Sequence, residues 1–90
     1  MTYQYPAAVF ETGDGWTAVF PDLDGLTVSA ATMEGLLEAC REDMQAFLYA
    51  QKEQGVPLPK ASADISAQDV IRQYSLPYAA GNMEEISVQA

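Results

Sequence analysis

Four acidic side chains are the residues of this sequence whose types and spacing could support chemistry. Asp22 and Asp24 lie in the stretch FPDLDGLT, while Glu34 and Glu38 are four residues apart in the segment that follows. Carboxylates that converge from rigid elements can hold Mg²⁺ and assist the hydrolysis of a phosphate ester. A metal-dependent nuclease is therefore an enzymatic hypothesis that these residues leave open.

Other features of the sequence argue against catalysis. The chain has no histidine, which excludes a histidine-based triad and an imidazole metal site. Its single cysteine, Cys40, lies in an apolar helical pattern with no histidine to activate it. Asp22 and Asp24 stand beside Pro21 and Gly25, where aspartate is favoured for the sake of the turn itself. We therefore predict that the protein is not an enzyme and has no cofactor and no metal.

The charge distribution favours a basic protein partner. The sequence has 13 acids and 4 bases, a net charge of −9, and no lysine or arginine before Arg41. Affinity for nucleic acid comes mainly from Lys and Arg that neutralise phosphates, so we predict no direct binding of nucleic acid. Such a surface would attract a basic protein, although acidic residues also serve simply to keep a small protein soluble.

The apolar segments are too short for a membrane protein. None approaches the roughly 20 residues that a membrane-spanning helix needs. The N-terminal stretch MTYQYPAAVFE has neither a basic leader nor a long apolar run, and a lone cysteine cannot form an internal disulfide. We predict a cytoplasmic protein with no membrane contact and with residues 1–90 as a single domain.

Three strands and one long helix must position the acidic residues. Alternating apolar residues predict strands over residues 3–11, 16–20 and 26–30, the first two joined by a turn. Thr32 is a favourable N-cap for the helix that follows. The apolar stripe of this helix recurs at three and four residues and consists of Met33, Leu36, Leu37, Cys40, Met44, Phe47 and Leu48.

The remaining segment predicts smaller elements. Gly55 is a natural end for the long helix, Ser66 suits the start of a short helix, and residues 84–89 alternate as a last strand. The predicted fold class is α+β, a three-to-four-stranded mainly antiparallel sheet packed on one long helix, in the order β-β-β-α-β with a short extra helix. One sheet face would then stay partly open, so we expect a homo-oligomer, a dimer or larger.

Several short motifs follow one another in order along residues 5–59. They are YPAAVFE (5–11), GW (15–16), FPDLDG (20–25), TME with LE (32–38) and GVPLP (55–59). Together they resemble the start of the HicB family of antitoxins, although Asp24, Leu26 and Gly35 depart from its usual pattern. The resemblance implies a partial RNase H-like fold in which the last strand lies beside the first. It also implies a partner, a small basic ribonuclease toxin of the HicA type, whose active site the antitoxin covers.

The resemblance also bears on the C-terminal part of the chain. Many HicB antitoxins carry a C-terminal DNA-binding domain, and the residues after Pro59 are too few for the last strand plus such a domain. We therefore expect no C-terminal DNA-binding domain. Residues 60–82 are interpreted as a variable connection or insertion.

The leading hypothesis is an antitoxin-like protein that binds and occludes a HicA-type toxin. Two alternatives stay open: a HicB-fold oligomeric scaffold or regulator that has no toxin, and the metal-dependent nuclease. FPDLDGLT is interpreted as a connector first and a contact second. The candidate partner-binding residues are Asp22, Leu23, Asp24, Leu26, Glu34 and Glu38.

Overall fold

A computed structural model describes residues 2–89 as a four-stranded sheet with two helices. Met1 and Ala90, which the predicted domain bounds include, lie outside the described residues. The predicted fold class is confirmed. The elements in chain order are β1 (Thr2–Thr12), β2 (Gly15–Phe20), β3 (Leu26–Ala30), α1 (Met33–Glu53), α2 (Ala67–Tyr74) and β4 (Asn82–Gln89).

The sheet has the strand order β3-β2-β1-β4, and every pairing is antiparallel. β4 therefore lies beside β1, as the resemblance implied. Pro6 lies inside β1 opposite Glu85 of β4, and the pairing of β1 with β2 begins only at Ala8. At Pro6 the strand thus has a neighbour on one side only, and this is where a strand tolerates a residue without an N–H.

α1 begins and ends where the sequence predicts. The Thr32 hydroxyl accepts a hydrogen bond from the backbone N–H of Gly35, 3.0 Å away. At the other end Gly55 has a φ of 70°, and its N–H donates to the carbonyl of Lys52 at 3.1 Å. The N–H of Val56 reaches back to Gln51 at 2.9 Å, which completes a Schellman motif.

α1 covers one side of the sheet, which we call the helix face. Four side chains of its stripe, Leu36, Cys40, Met44 and Leu48, are fully buried there. They pack against alternate residues of all four strands, as the period of two in a strand requires. The buried strand residues on this face are Tyr5, Ala7, Val9, Ala18, Phe20, Val28, Ile86 and Val88.

The opposite side of the sheet, which we call the second face, is buried along its middle strands. Ala8 and Phe10 of β1 have no exposed area, and Val19 of β2 is 3% exposed. Between α1 and β4 runs the connection, residues 54–81, which includes α2. Its part from Ile65 to Tyr78 covers these residues and places Val70 in the same apolar cluster. The middle of the second face is therefore covered, whereas Thr27 and Ser29 of β3 and Ser87 of β4 stay exposed on it. The face is thus partly open, and oligomerisation stays a prediction.

Within residues 2–89, neither helix has the combination of length and apolar character that would let it cross a bilayer. α1, although 21 residues long, carries exposed charged residues near both ends and at Arg41, Glu42 and Asp43.

Candidate partner-binding surface

The loop between β2 and β3 is a compact turn rather than an open arm. The carbonyl of Phe20 accepts hydrogen bonds from the N–H groups of Leu23 and Gly25, at 3.2 and 3.1 Å. Asp24 has a φ of 56°, a left-handed conformation that aspartate tolerates better than most residues. The turn directs the side chain of Leu23 into the core of the helix face, where it has no exposed area.

This placement corrects one predicted site residue. Leu23 was expected to add apolar contact with a partner, but it has no surface to offer because the core already encloses it. Leu26, the other apolar candidate, is partly buried against the same core and keeps some exposed area at the start of β3.

Asp22 joins the turn to the connection. Its Oδ2 accepts a hydrogen bond from the backbone N–H of Ser62 at 2.8 Å, and its Oδ1 accepts one from the Ser62 hydroxyl at 2.6 Å. Both carboxylate oxygens are thus engaged within the chain. The role that the structure gives Asp22 is to hold the connection in place.

Tyr74 of α2 supports the same turn from the side of the second face. Its hydroxyl donates to the carbonyl of Pro21 at 3.2 Å. Its ring lies so close to Gly25 that a Cβ there would come within 2.9 Å of it. Gly25 also has a φ of 73°, so both its backbone conformation and its surroundings favour glycine.

A second tie fixes the start of the connection. The hydroxyl of Tyr5 in β1 donates to the carbonyl of Pro59 at 2.6 Å. Burial raises the pKa of Tyr5, and the nearby Tyr3 and Asp22 raise it further. The tyrosine therefore remains a neutral hydrogen-bond donor at physiological pH.

The remaining predicted site residues lie around β3. Asp24 is exposed two residues before the strand begins, and Glu34 is exposed in the first turn of α1, four residues after the strand ends. Glu38 is exposed one helical turn further along. These three acids are available to a partner, whereas both carboxylate oxygens of Asp22 already accept hydrogen bonds from Ser62.

The geometry gives no support to a carboxylate metal site. Among residues 2–89 no three acidic or cysteine side chains are grouped so that they could hold a metal ion. Cys40 has no exposed area, and burial raises the pKa of its thiol to about 11, with Asp43 adding to the rise and Arg41 opposing it. This thiol stays protonated near neutral pH and is poorly placed to act as a nucleophile.

The negative charge of the surface is largely uncompensated. In the part of the chain that the structure describes, a single ion pair joins Arg72 to Asp69, with 2.6 Å between nitrogen and oxygen. It therefore engages just one of the 13 acids of the chain. A basic partner would thus find acids that do not have to be released from lysine or arginine of this chain first.

Sequence reasoning missed how the connection is attached. It did not predict that Pro59, Ser62 and Tyr74 contact other elements, yet each makes a hydrogen bond to β1 or to the turn before β3. The available signal was the number of large apolar residues between Ile65 and Tyr78, which a surface loop would not need.

Comparison with solved structures identifies the fold. One chain of the HicA3 and HicB3 toxin-antitoxin complex matches 98% of this chain over its own full length, with a TM-score of 0.71 and 21% sequence identity. The antitoxin HicB3 matches 97% of this chain with the same TM-score of 0.71 and 24% identity, and this chain spans 62% of that one. No family model matches the sequence, and no match was found among curated proteins. The resemblance inferred from the motifs thus extends to the fold.

Proposed function

We propose that this chain is an antitoxin-like protein that binds a basic ribonuclease toxin of the HicA type and covers its active site. It acts as a binding module in the cytoplasm and not as an enzyme. The observation that carries the proposal is the fold, which a HicB3 antitoxin and a chain of a HicA3 and HicB3 complex share over nearly all of residues 2–89.

The charge of the chain supports a partner of this kind. With a net charge of −9 and six acids before the first base, Arg41, the surface around β3 and the start of α1 has a negative potential. A ribonuclease needs lysines and arginines to hold RNA phosphates, so its RNA-binding groove is complementary to such a surface. Binding there would block access of RNA to the groove.

Asp24, Glu34 and Glu38 are the acids that we assign to this encounter, because all three are exposed near β3. Leu26 adds partly exposed apolar area beside them. Exposed charges mainly set the rate of association, whereas the lifetime of a complex depends on a few desolvated contacts. The association rate should therefore fall steeply as salt is added, because the Debye length shrinks to about 8 Å at physiological ionic strength.

The direct test is inhibition of a HicA-type ribonuclease. The purified chain is mixed with the toxin, RNA cleavage is followed, and we expect stoichiometric inhibition. The triple variant Asp24→Asn, Glu34→Gln, Glu38→Gln should associate more slowly. A control with the same change of charge neutralises Glu53, Glu84 and Glu85, which are exposed away from β3, and it should associate faster than the first variant.

The same assay separates the alternatives. A scaffold or regulator that has no toxin would leave cleavage unchanged at any ratio of chain to ribonuclease. A metal-dependent nuclease would cleave RNA without the toxin once Mg²⁺ is added, and Asp22→Asn would abolish that cleavage. Either result would reject the antitoxin proposal.

A further inference from the structure

The sheet has two outer edges, and they differ in charge. β4 is one edge, and it carries Glu84 and Glu85 exposed within the strand. β3 is the other edge, and its sequence, LTVSA, has no charged residue at all. No strand among residues 2–89 pairs with the outer side of either one. Charged side chains on an edge strand discourage pairing with another chain, so β4 is protected in a way that β3 is not.

The uncharged edge is also accessible. Thr27 and Ser29 are exposed on the second face, while Val28 is buried beneath α1 on the helix face. α2 comes close to the start of this edge, where the ring of Tyr74 lies against Gly25, but Thr27 and Ser29 remain exposed. An incoming strand would meet backbone groups and hydroxyls, and no charge within β3 would have to be desolvated.

Acidic residues stand at both ends of this edge. Asp24 is exposed just before β3. At the other end Gly15 lies against the carbonyl of Ala30, so the hairpin turn with the exposed Asp14 flanks the strand, and Glu34 follows in α1. The edge is thus a short neutral strand between two negative ends.

The acidic residues at the two ends of β3 favour one kind of incoming strand over another. A second copy that pairs antiparallel to β3 would bring Asp24 of one copy towards Glu34 of the other, and like charges repel. An extended segment of a basic protein would instead meet opposite charge at each end. Five strand residues extend about 16 Å, so basic residues roughly five to seven positions apart would reach both ends.

We propose that the outer edge of β3 is the docking strand for the toxin, which adds an extended segment with lysine or arginine at each end to the sheet. This inference depends on the proposed function and deepens it, because it names the part of the surface that the toxin occupies. Main-chain hydrogen bonds supply affinity in this mode of recognition, and the flanking charges set the register.

The test places a positive charge on each edge in turn. Thr27→Lys alters the β3 edge, and Ser87→Lys makes a comparable change on β4, where Ser87 is likewise an exposed hydroxyl on the second face. Affinity for the toxin is measured for both by titration at constant ionic strength. We expect Thr27→Lys to weaken binding by about tenfold or more, because a new lysine repels a basic segment at close range. The affinity of the Ser87→Lys variant for the toxin should stay within about threefold of the wild-type affinity, because only the long-range attraction changes.

Hydrogen exchange gives an independent measurement. In the complex, the amides of residues 26–30 should become more protected, while those of residues 82–89 should keep the exchange rates of the free chain. Thr27→Gln, a neutral variant of similar length, separates charge from size and should bind more tightly than Thr27→Lys. Equal losses for Thr27→Lys and Ser87→Lys, or protection confined to β4, would overturn the β3 assignment while leaving the antitoxin role intact. Absence of any binding by the wild-type chain would reject the proposed function itself.

Discussion

The two faces of the sheet are buried by different kinds of cover. On the helix face a single helix of 21 residues places four side chains at regular intervals over the strands. On the second face the helical part of the cover is only 8 residues long, and irregular segments on both sides of α2 complete it. There the ring of Tyr78 stacks on Phe10, with 4.6 Å between the ring centroids and an interplanar angle of 15°.

The difference lies in how each cover satisfies its backbone. A helix pairs its own N–H and C=O groups, so α1 needs little more than an apolar stripe to stay in place. The irregular connection depends on individual side-chain hydrogen bonds to hold its path, and each of them is a separate point at which it can be loosened. Four of these bonds join Tyr5 to Pro59, Ser62 to Asp22, Tyr74 to Pro21 and Gln68 to Ala79.

The largest expected effect tests whether the second face is a full part of the core. Phe10→Ala should lower the free energy of unfolding by about 3–5 kcal/mol, the range for removal of a buried aromatic ring. Urea unfolding measures the loss. Tyr49→Ala removes an aromatic ring that is 52% exposed on α1 and serves as the control, with a much smaller loss. Equal losses for the two variants would mean that the connection does not bury Phe10 in solution.

A smaller effect is expected where the connection rejoins the sheet. A Cβ on Gly81 would lie 2.5 Å from the ring of Phe10 and 2.7 Å from the carbonyl of Val9, so backbone and ring would both have to move. Gly81→Ala should therefore destabilise the chain by about 1–3 kcal/mol. Gly13→Ala is the matched control, since nothing lies within 4 Å of the position its Cβ would take. If Gly81→Ala left the free energy of unfolding unchanged, Gly81 would lie further from Phe10 and Val9 than the structure shows.

The same contrast explains what the sequence could and could not predict. The apolar stripe of α1 keeps one period over many residues, and the alternation in β1, β2 and β3 places their apolar residues correctly on the helix face. The helix-face half of the fold could therefore be predicted from the sequence. The cover of the second face is not periodic: Ile65, Tyr74 and Tyr78 bury area from different local conformations. Local signals were confined to α2, where the capping box at Ser66 predicts the start and the spacing of Val70, Ile71 and Tyr74 predicts one buried side.

The candidate site was predictable to a similar extent. Local chemistry identified the turn at Asp22 and Asp24 correctly, because proline, glycine and aspartate favour turns for backbone reasons. It could not reveal that Asp22 bonds to Ser62, since that contact joins residues 40 positions apart. Nor could it reveal that Leu23 points into the core, because the turn geometry decides the direction of that side chain.

The two aspartates of the turn offer the next comparison. Asp22→Ala should destabilise the chain by about 1–3 kcal/mol, because it leaves the N–H and hydroxyl of Ser62 without their acceptor. Asp24→Asn removes the same charge from the same turn but leaves an exposed residue that tolerates a left-handed backbone, so its effect on thermal or urea unfolding should be within about 0.5 kcal/mol. Equal effects would mean that loss of charge, and not the bond to Ser62, governs this turn.

The smallest expected effect concerns the start of α2. The carboxylate of Asp69 accepts a hydrogen bond from the N–H of Ser66 at 3.0 Å, and the Ser66 hydroxyl accepts one from the N–H of Asp69 at 3.2 Å. The pKa of Asp69 is lowered first by the hydrogen bond from the backbone N–H of Ser66, then by the Ser66 side chain and then by Arg72. A lowered pKa in the folded state means that this carboxylate stabilises the chain above its unfolded pKa of about 3.9. The contribution is lost as the pH falls through the lower, folded pKa.

Two variants can separate the cap from the ion pair. Ser66→Ala should raise the pKa of Asp69 at any ionic strength and cost about 1 kcal/mol of stability as an N-cap is lost. Arg72→Gln should raise the pKa by an amount that shrinks as salt is added, because the exposed ion pair is screened. In both variants the pKa, followed by NMR titration of the carboxyl carbon, should stay below its usual value, since the N–H of Ser66 remains. If Arg72→Gln alone restored the usual pKa of Asp69, the ion pair would be the main cause of the lowered value. The hydrogen bonds of the helix cap at Ser66 would then contribute little to holding α2 in place.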